Sequence, residues 1–391
     1  MDQRSEILLI NHFCIKDDLK SYDPYDIWKT HIGISVKKLF YRNKFSGIEP
    51  AGILTLFDLF FNNRFRLFYK KQEFPITRAQ AALALMNLYE QENNTVYLKY
   101  AKKHIDWLLS HYSKDYNGYC WGLNFKWVYS AGKVYNETIP FSTHTPYPLE
   151  ALVKYYHITN DKNLLVPIKS VFLFLENDLK IMKETKDVLI MSYGVEKDRI
   201  VANANSYIMY MYSLLIEFYP EKSDYIRLKI NKIHNFIRSV QNEDGSWLYA
   251  PYDSNTFIDC FHSAFVLKNI YKTNEIVELD KSKHIIDAGY NYILDNFFDT
   301  KRKLFKRFTQ SNNLSLTKFD LYDNAEMLSL AIILKDSKLT QVLLKSVNKT
   351  FVRNKKIASM IDITNSRKNF NYLRWAVMPY LLALSKLKET N

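Results

Sequence analysis

The sequence predicts an all-α protein, an (α/α)6 toroid of six helical hairpins with an additional helical segment at the N-terminus. Three observations carry this. Glycine is scarce: nine residues in 391, about 2.3% against a usual ~7%. Two kinds of helical segment alternate along the chain, one amphipathic and one apolar nearly all round. The links between them are short in one direction and long in the other.

The glycine shortage excludes folds. Phosphate-cradling loops, dinucleotide-binding turns and dense hairpin folds need glycine where φ is positive or a ligand touches the backbone. Neither GxGxxG nor GxxxxGK[ST] occurs, which argues against nucleotide chemistry of the common kinds.

The amphipathic helices form an expected outer layer. In 223–240 the apolar residues Ile226, Ile230, Ile233, Ile237 and Val240 alternate steps of four and three, the mark of one buried face. Similar segments lie near 97–110, 163–180, 280–297 and 338–352, and 51–69 can serve as the first outer helix. The wholly apolar segments form an expected inner layer. They include 205–219 (NSYIMYMYSLLIEFY) and 375–387 (WAVMPYLLALSKL), with others near 78–90, 145–157, 259–272 and 322–334. A helix hydrophobic on every face is buried in a large protein. Pairs repeating at a near-constant period mean a stacked or closed array. A closed ring explains why one helix of every pair is wholly buried; an open solenoid is the alternative.

Inner-to-outer links are short (91–96, 158–162, 220–222, 273–279, 335–337), and outer-to-inner links are long (111–144, 181–203, 241–258, 298–321, 353–372). Long loops carry function more often than short ones. They all fall at the end where inner helices begin, so that end should bear a built-up mouth. Before residue 50 the sequence suggests an irregular arm and a helix at 27–41. The expected division is therefore an N-terminal extension, 1–50, and a toroid, 51–391, with no linker cutting the chain further.

Net charge is +13, from 54 Lys and Arg against 41 Asp and Glu. A basic surface suits an acidic partner. No tract of five basic residues and no zinc-finger or RNA-binding motif is present, so nucleic acid is not the expected partner. Cys14, Cys120 and Cys260 are scattered and odd in number, which fits a reducing compartment. The N-terminus does not read as a signal peptide, and no stretch approaches the ~18 apolar residues of a membrane span.

If the ring forms, the first turn of each inner helix faces the mouth. Those turns carry Arg78 and Gln80; Thr143 and His144; Asn203 and Asn205; Asp259 and His262; Tyr322, Asp323 and Glu326; and Arg374 and Trp375. Capping accounts for some of them, Asn203 and Asp259 especially. It does not account for two histidines, Arg374 or Glu326. Asp259 and His262 are three apart and share a helix face, as an acid–base couple or a histidine held by a local carboxylate. Asp323 and Glu326 share the same spacing. They could raise one another's pKa, or form a cap paired to a cation such as Arg374. The five candidate catalytic residues are therefore Asp259, His262, Asp323, Glu326 and His144. Asp259, Cys260 and His262 point in different directions on a helix, so no metal site is expected, and no cofactor motif is found. The long loops add Trp121, Asn124 and Trp127 in GYCWGLNFKW (118–127) and Trp247 in QNEDGSW (241–247). Their indoles either pack on the rim or stack on sugar rings. With Asn203, Asn205, Tyr322, Arg374 and Trp375 they make up the candidate substrate-binding set.

The QNEDGSW stretch resembles the QW motif of terpenoid cyclases and protein prenyltransferases, which are also α/α toroids. The cyclase DxDD motif is absent and the prenyltransferase zinc set is not reproduced. A wider resemblance is to bacterial exopolysaccharide- and capsule-biosynthesis proteins of the six-hairpin glycosidase-like class. It runs through GYCWGLNFKW (118–127), THTPYPLEAL (143–152), VANANSYIM (201–209), QNEDGSW (241–247), DCFHSAFVL (259–267) and LRWAV (373–377). It implies a cytoplasmic toroid, peripheral to the inner membrane, that serves surface-polysaccharide assembly, with an oligo- or polysaccharide and assembly proteins as partners. It carries over no catalytic residue. Related toroids are glycoside hydrolases, polysaccharide lyases and sugar epimerases. Hydrolysis needs two carboxylates ~5–5.5 Å or ~6.5–9.5 Å apart; the pair would be Asp259 with Asp323 or Glu326. A lyase or epimerase needs a base beside a neutralised acidic sugar, from His144, His262, Tyr322, Asn203 and Arg374. The alternatives are a non-catalytic glycan- or protein-binding partner, and isoprenoid chemistry in an aromatic cavity without a carboxylate pair.

Overall fold

The computed structural model describes residues 3–196, 199–254, 256–310 and 315–387. Twelve helices build a closed double ring. The outer ones are α1 (Gln3–Cys14), α3 (Thr95–Ser110), α5 (Leu165–Leu173), α7 (Ser223–Ser239), α9 (Ser282–Phe297) and α11 (Ser337–Phe351). The inner ones are α2 (Pro75–Glu92), α4 (Pro146–Thr159), α6 (Ala202–Leu215), α8 (Cys260–Asn274), α10 (Leu321–Ile333) and α12 (Met378–Leu384). Each inner helix packs on the next, and α12 packs back on α2. That last contact closes the ring and excludes the open solenoid.

The layers have the burial their sequences demand. All 14 residues of α6 are buried. In α7, Ile226, Ile230, Ile233 and Ile237 are fully buried on one face. Each such side chain contributes about 1.5–3 kcal/mol relative to exposure. Proline opens α2, α4 and α12, where the missing N–H has no partner to lose.

The first outer helix is not where the periodicity places it. Leu9, Ile10, Phe13 and Cys14 form a buried face of α1, which lies against α2 and α12. His104 of α3 fixes this end: Arg78 Nη1 lies 2.9 Å from its Nδ1, and its Nε2 lies 2.9 Å from the Cys14 carbonyl. The segment 51–69 instead belongs to a separate hairpin. Helix Lys44–Leu56 continues through a wide π turn, Phe57–Asn62, and packs on helix His31–Arg42. Ring packing begins with α1, and residue 50 lies inside a helix of the hairpin.

The long links contain short antiparallel strands. Trp127–Val128 pairs with Val134–Tyr135, Ile181–Glu184 with Leu189–Met191, and Ile258–Asp259 with Phe308–Gln310. Lys356–Asp362 pairs with Thr317–Asp320, with Arg367–Phe370 and with Val352–Arg353. The last inner helix also begins later than its apolar run suggests. Trp375 (φ −100, ψ 92) and Ala376 (φ 96, ψ −38) break the helix just before α12.

Candidate functional site

A cavity of about 260 Å³ opens at the end of the ring where the inner helices start. Every inner helix or its entry contributes to the wall: Ile76, Tyr147, Asn203 and Tyr207, Phe261 with His262 and Phe265, Tyr322, and Arg374 with Trp375. The long links supply Phe125, Trp127, Tyr135, Phe141, Thr143, His144, Tyr193 and Tyr249. Tyr25 of the N-terminal arm completes the rim, its ring 4.9 Å from Trp127 and 5.8 Å from Trp375. The lining is thus mostly aromatic, with hydroxyls, two imidazoles and one guanidinium set into it.

Asp259 ends a short strand and caps α8, its Oδ1 accepting from the His262 backbone N–H at 3.3 Å. The same carboxylate meets His262 Nδ1 at 2.7 and 2.9 Å. A carboxylate at Nδ1 favours the tautomer of a neutral imidazole that carries its proton there, which leaves Nε2 as the basic nitrogen. The imidazole is held between Phe261 and Tyr249, with ring centroids 4.0 and 4.6 Å away.

His144 lines the same cavity, its Nδ1 3.2 Å from Thr143 Oγ1. Burial, aided by the Arg374 charge, pushes its pKa down to about 3, so it stays neutral near neutral pH. Arg374 is clamped by Asp23 through two hydrogen bonds, 2.5 and 2.9 Å. Trp375 stacks on Tyr322 with ring centroids 4.5 Å apart, and its indole N–H donates to Asp320 at 3.1 Å. The buried Asn203 Oδ1 has no hydrogen-bond partner among the described residues.

Of the residues singled out from sequence, Thr143, His144, His262, Trp127, Asn203, Tyr322, Arg374 and Trp375 line this cavity. Asp259 stands directly behind His262. The others sit in the wall. Asp323 is fully buried against Arg307, whose Nε donates to it at 3.0 Å and whose Nη2 lies 2.8 Å from Asp320. Burial pushes the Asp323 carboxyl up to about 8, with Arg307 opposing and Asp320 and Asp259 adding. Glu326 pairs with Lys268 across the ring interior. Neither uses Arg374, which Asp23 has taken.

Trp121 and Trp247 are buried struts: their indoles donate to the Leu108 carbonyl at 3.1 Å and the Ile237 carbonyl at 3.0 Å. Asn124, at φ 60, donates to the Glu73 carbonyl at 2.7 Å. Asn205 bridges the Met191 N–H and carbonyl at 2.9 and 3.2 Å. No Asp or Glu lines the cavity among the described residues, so the expected pair of facing carboxylates is not assembled there. Nor do three or more His, Cys, Asp or Glu among the described residues meet in a way that could hold a metal ion.

Two further site residues carried a signal readable in the sequence. Tyr207 and Phe265 lie one turn beyond Asn203 and Phe261, on the same helix faces. The Tyr207 and Tyr147 hydroxyls meet at 2.5 Å on the cavity floor. Asp23, Tyr25 and Arg307 had no such signal, since each reaches the site from a distant segment.

No protein-family model matches the chain, and no curated protein matches it. Solved structures do. Cellobiose 2-epimerase from Bacillus thermoamylovorans B4167 superposes with a TM-score of 0.63 at 11% identity, covering 80% of this chain and 86% of that one. A GH76 α-mannanase from Bacteroides thetaiotaomicron gives 0.56 at 13%, covering 93% and 97%. A polysaccharide lyase gives 0.54 at 12%, covering 91% and 97%. The chain has the (α/α)6 toroid fold. At these identities the likeness is one of fold.

Proposed function

We propose that this protein is a carbohydrate-modifying enzyme that works by proton transfer, of the epimerase or lyase type. The observation that carries the reading is His262, oriented by Asp259 and facing a cavity that also holds His144. Base and orienting carboxylate are within hydrogen-bond reach, the geometry that general base catalysis requires. His262 Nε2 removes a proton from a sugar carbon, and neutral His144 offers a second proton-transfer group. Arg374 and the tyrosine hydroxyls stabilise the negative charge that develops. Tyr322 and Trp375 form a stacking platform for a sugar ring.

Hydrolysis by two carboxylates is not favoured, because Asp323 and Glu326 are tied to Arg307 and Lys268 behind the wall. The toroids it superposes on include an epimerase, a mannanase and a lyase, and this supports a glycan as substrate. We infer further that the setting is bacterial surface-polysaccharide assembly in the cytoplasm, on the motif blocks from residue 118 to 377. The aromatic lining also suits isoprenoid chemistry; the polar dyad and the buried Arg374 favour the sugar reading.

The test is incubation with neutral and uronate-containing oligosaccharides in deuterated water, read by mass spectrometry. Deuterium gain or an unsaturated product, lost in His262→Ala, supports the proposal. Glycan binding without either change makes the protein a non-catalytic partner, and no glycan binding removes the reading.

A further inference from the structure

One short segment concentrates two properties that seldom coincide on a protein surface. Among the described residues, 23 large hydrophobic side chains are exposed, and 12 of them lie between Ile32 and Phe68. Phe45 is 93% and Phe68 88% exposed. The same stretch, 31–71, holds eight Lys and Arg against two acids, so its net charge is nearly half of the chain's +13. It forms the helical hairpin beside the ring, His31–Arg42 followed by Lys44–Leu56 and the π turn.

The apolar groups are ordered. Ile53, Phe57, Phe61 and Phe65 recur every four residues, and successive rings from Phe57 to Phe65 stand 5.3 Å apart. Ile53, Phe61 and Phe65 on this face are 51–59% exposed. The face is therefore built but uncovered, and an exposed apolar patch of this kind marks an interaction site. Asp58, which would interrupt it, is turned to the Tyr69 hydroxyl at 2.5 Å. Arg42, Lys44, Arg64, Lys70 and Lys71 are exposed around it.

We propose that this hairpin docks the protein on an anionic lipid bilayer surface, lying in the interface without crossing it. No helix among the described residues is long and apolar enough to span a membrane. Phenylalanine and leucine entering the headgroup boundary, with lysine and arginine at the phosphates, is the physical pattern of an interfacial helix. A second copy of this chain is a poorer occupant, since pairing like faces would bring the same excess of cations together. The docking has a consequence for the cavity. Helix His31–Arg42 packs on Trp127–Val128, and Lys37 Nζ lies 2.8 Å from the Trp127 ring centroid. Trp127 lines the cavity, so the rim is held beside the lipid headgroups. This concerns where the cavity is presented and stands whether or not the proton-transfer chemistry does.

The experiment is flotation of the full chain with vesicles of phosphatidylcholine alone and of phosphatidylcholine with phosphatidylglycerol, alongside light scattering without lipid. The expected result is a monomer that floats with the anionic vesicles and detaches as salt rises. Phe61→Asp with Phe65→Asp abolishes flotation while the melting curve is kept; if that pair fails to fold, Phe45→Ser gives the same direction at a site 93% exposed. Lys70→Glu with Lys71→Glu weakens binding on the order of 10-fold. Absence of flotation overturns the proposal. So does a solution dimer that Phe61→Asp converts to a monomer, which assigns the face to a second copy.

Discussion

His262 Nδ1 lies 2.7 Å from Asp259 Oδ2, and the same carboxylate caps the helix that carries the histidine. One buried group thus sets both the start of α8 and the orientation of the imidazole. Replacing it with asparagine separates the two roles. The amide side chain would still cap the helix, but it can also donate to Nδ1, which favours the wrong tautomer. Asp259→Asn is expected to lower kcat by about 100- to 10,000-fold with little change in KM, while the thermal midpoint moves little. A proportionate loss of both folding and activity would make Asp259 a purely structural cap.

Trp375, half of the proposed sugar platform, reaches the buried charges through its hydrogen bond to Asp320. Trp375→Phe keeps a ring over Tyr322 but removes the N–H. Glycan affinity by calorimetry is expected to fall by about 3- to 10-fold. Unchanged affinity would exclude this platform from the binding site.

Ala376 holds φ 96, a region that costs a residue with a side chain of order 1–3 kcal/mol. It lies between Trp375, which faces the cavity, and the start of α12. Ala376→Gly is expected to stabilise the fold, by up to about 1 kcal/mol after the unfolded-state entropy of glycine is subtracted. Urea denaturation checks this.

Gly245 reaches φ 90 in the QNEDGSW turn, and a Cβ there would stand 2.4 Å from the Ala288 carbonyl oxygen. Gly245→Ala must shift backbone against α9 and is expected to cost about 2 kcal/mol or more. The same denaturation midpoint reads it.

His104 gives the fold a pH dependence. Burial lowers its pKa from 6.5 to about 4. Between those values the unfolded chain binds the proton and the folded chain does not. Stability from this group is therefore complete above pH 6.5 and is lost as pH falls toward 4, on the order of 3 kcal/mol at most. His144 and His234 are lowered too and act in the same direction; the raised Asp323 acts in the opposite one as pH rises toward 8. His104→Gln should flatten the fall in urea midpoint between pH 7 and pH 5. An unchanged slope would assign the dependence elsewhere.

The ring was legible from residue order alone. Wholly apolar and amphipathic helices alternate because burial acts on each side chain locally, and the period records which face is dry. The same reading located the mouth, because the long links all enter the inner helices from one end. Contacts between distant segments set the rest. Nine glycines first spoke only against nucleotide folds; one of them, Gly245, lets a turn touch α9. The N-terminal helix took the outer position that 51–69 was expected to fill, because its apolar face fits between α2 and α12. Arg307 and Lys268 claimed Asp323 and Glu326, and Asp23 claimed Arg374 from 351 residues away. Charge pairing across a ring depends on which segments meet, and no local period encodes that. Eight of the polar or aromatic positions read at helix starts and loops therefore face the cavity, while their neighbours serve as caps and struts.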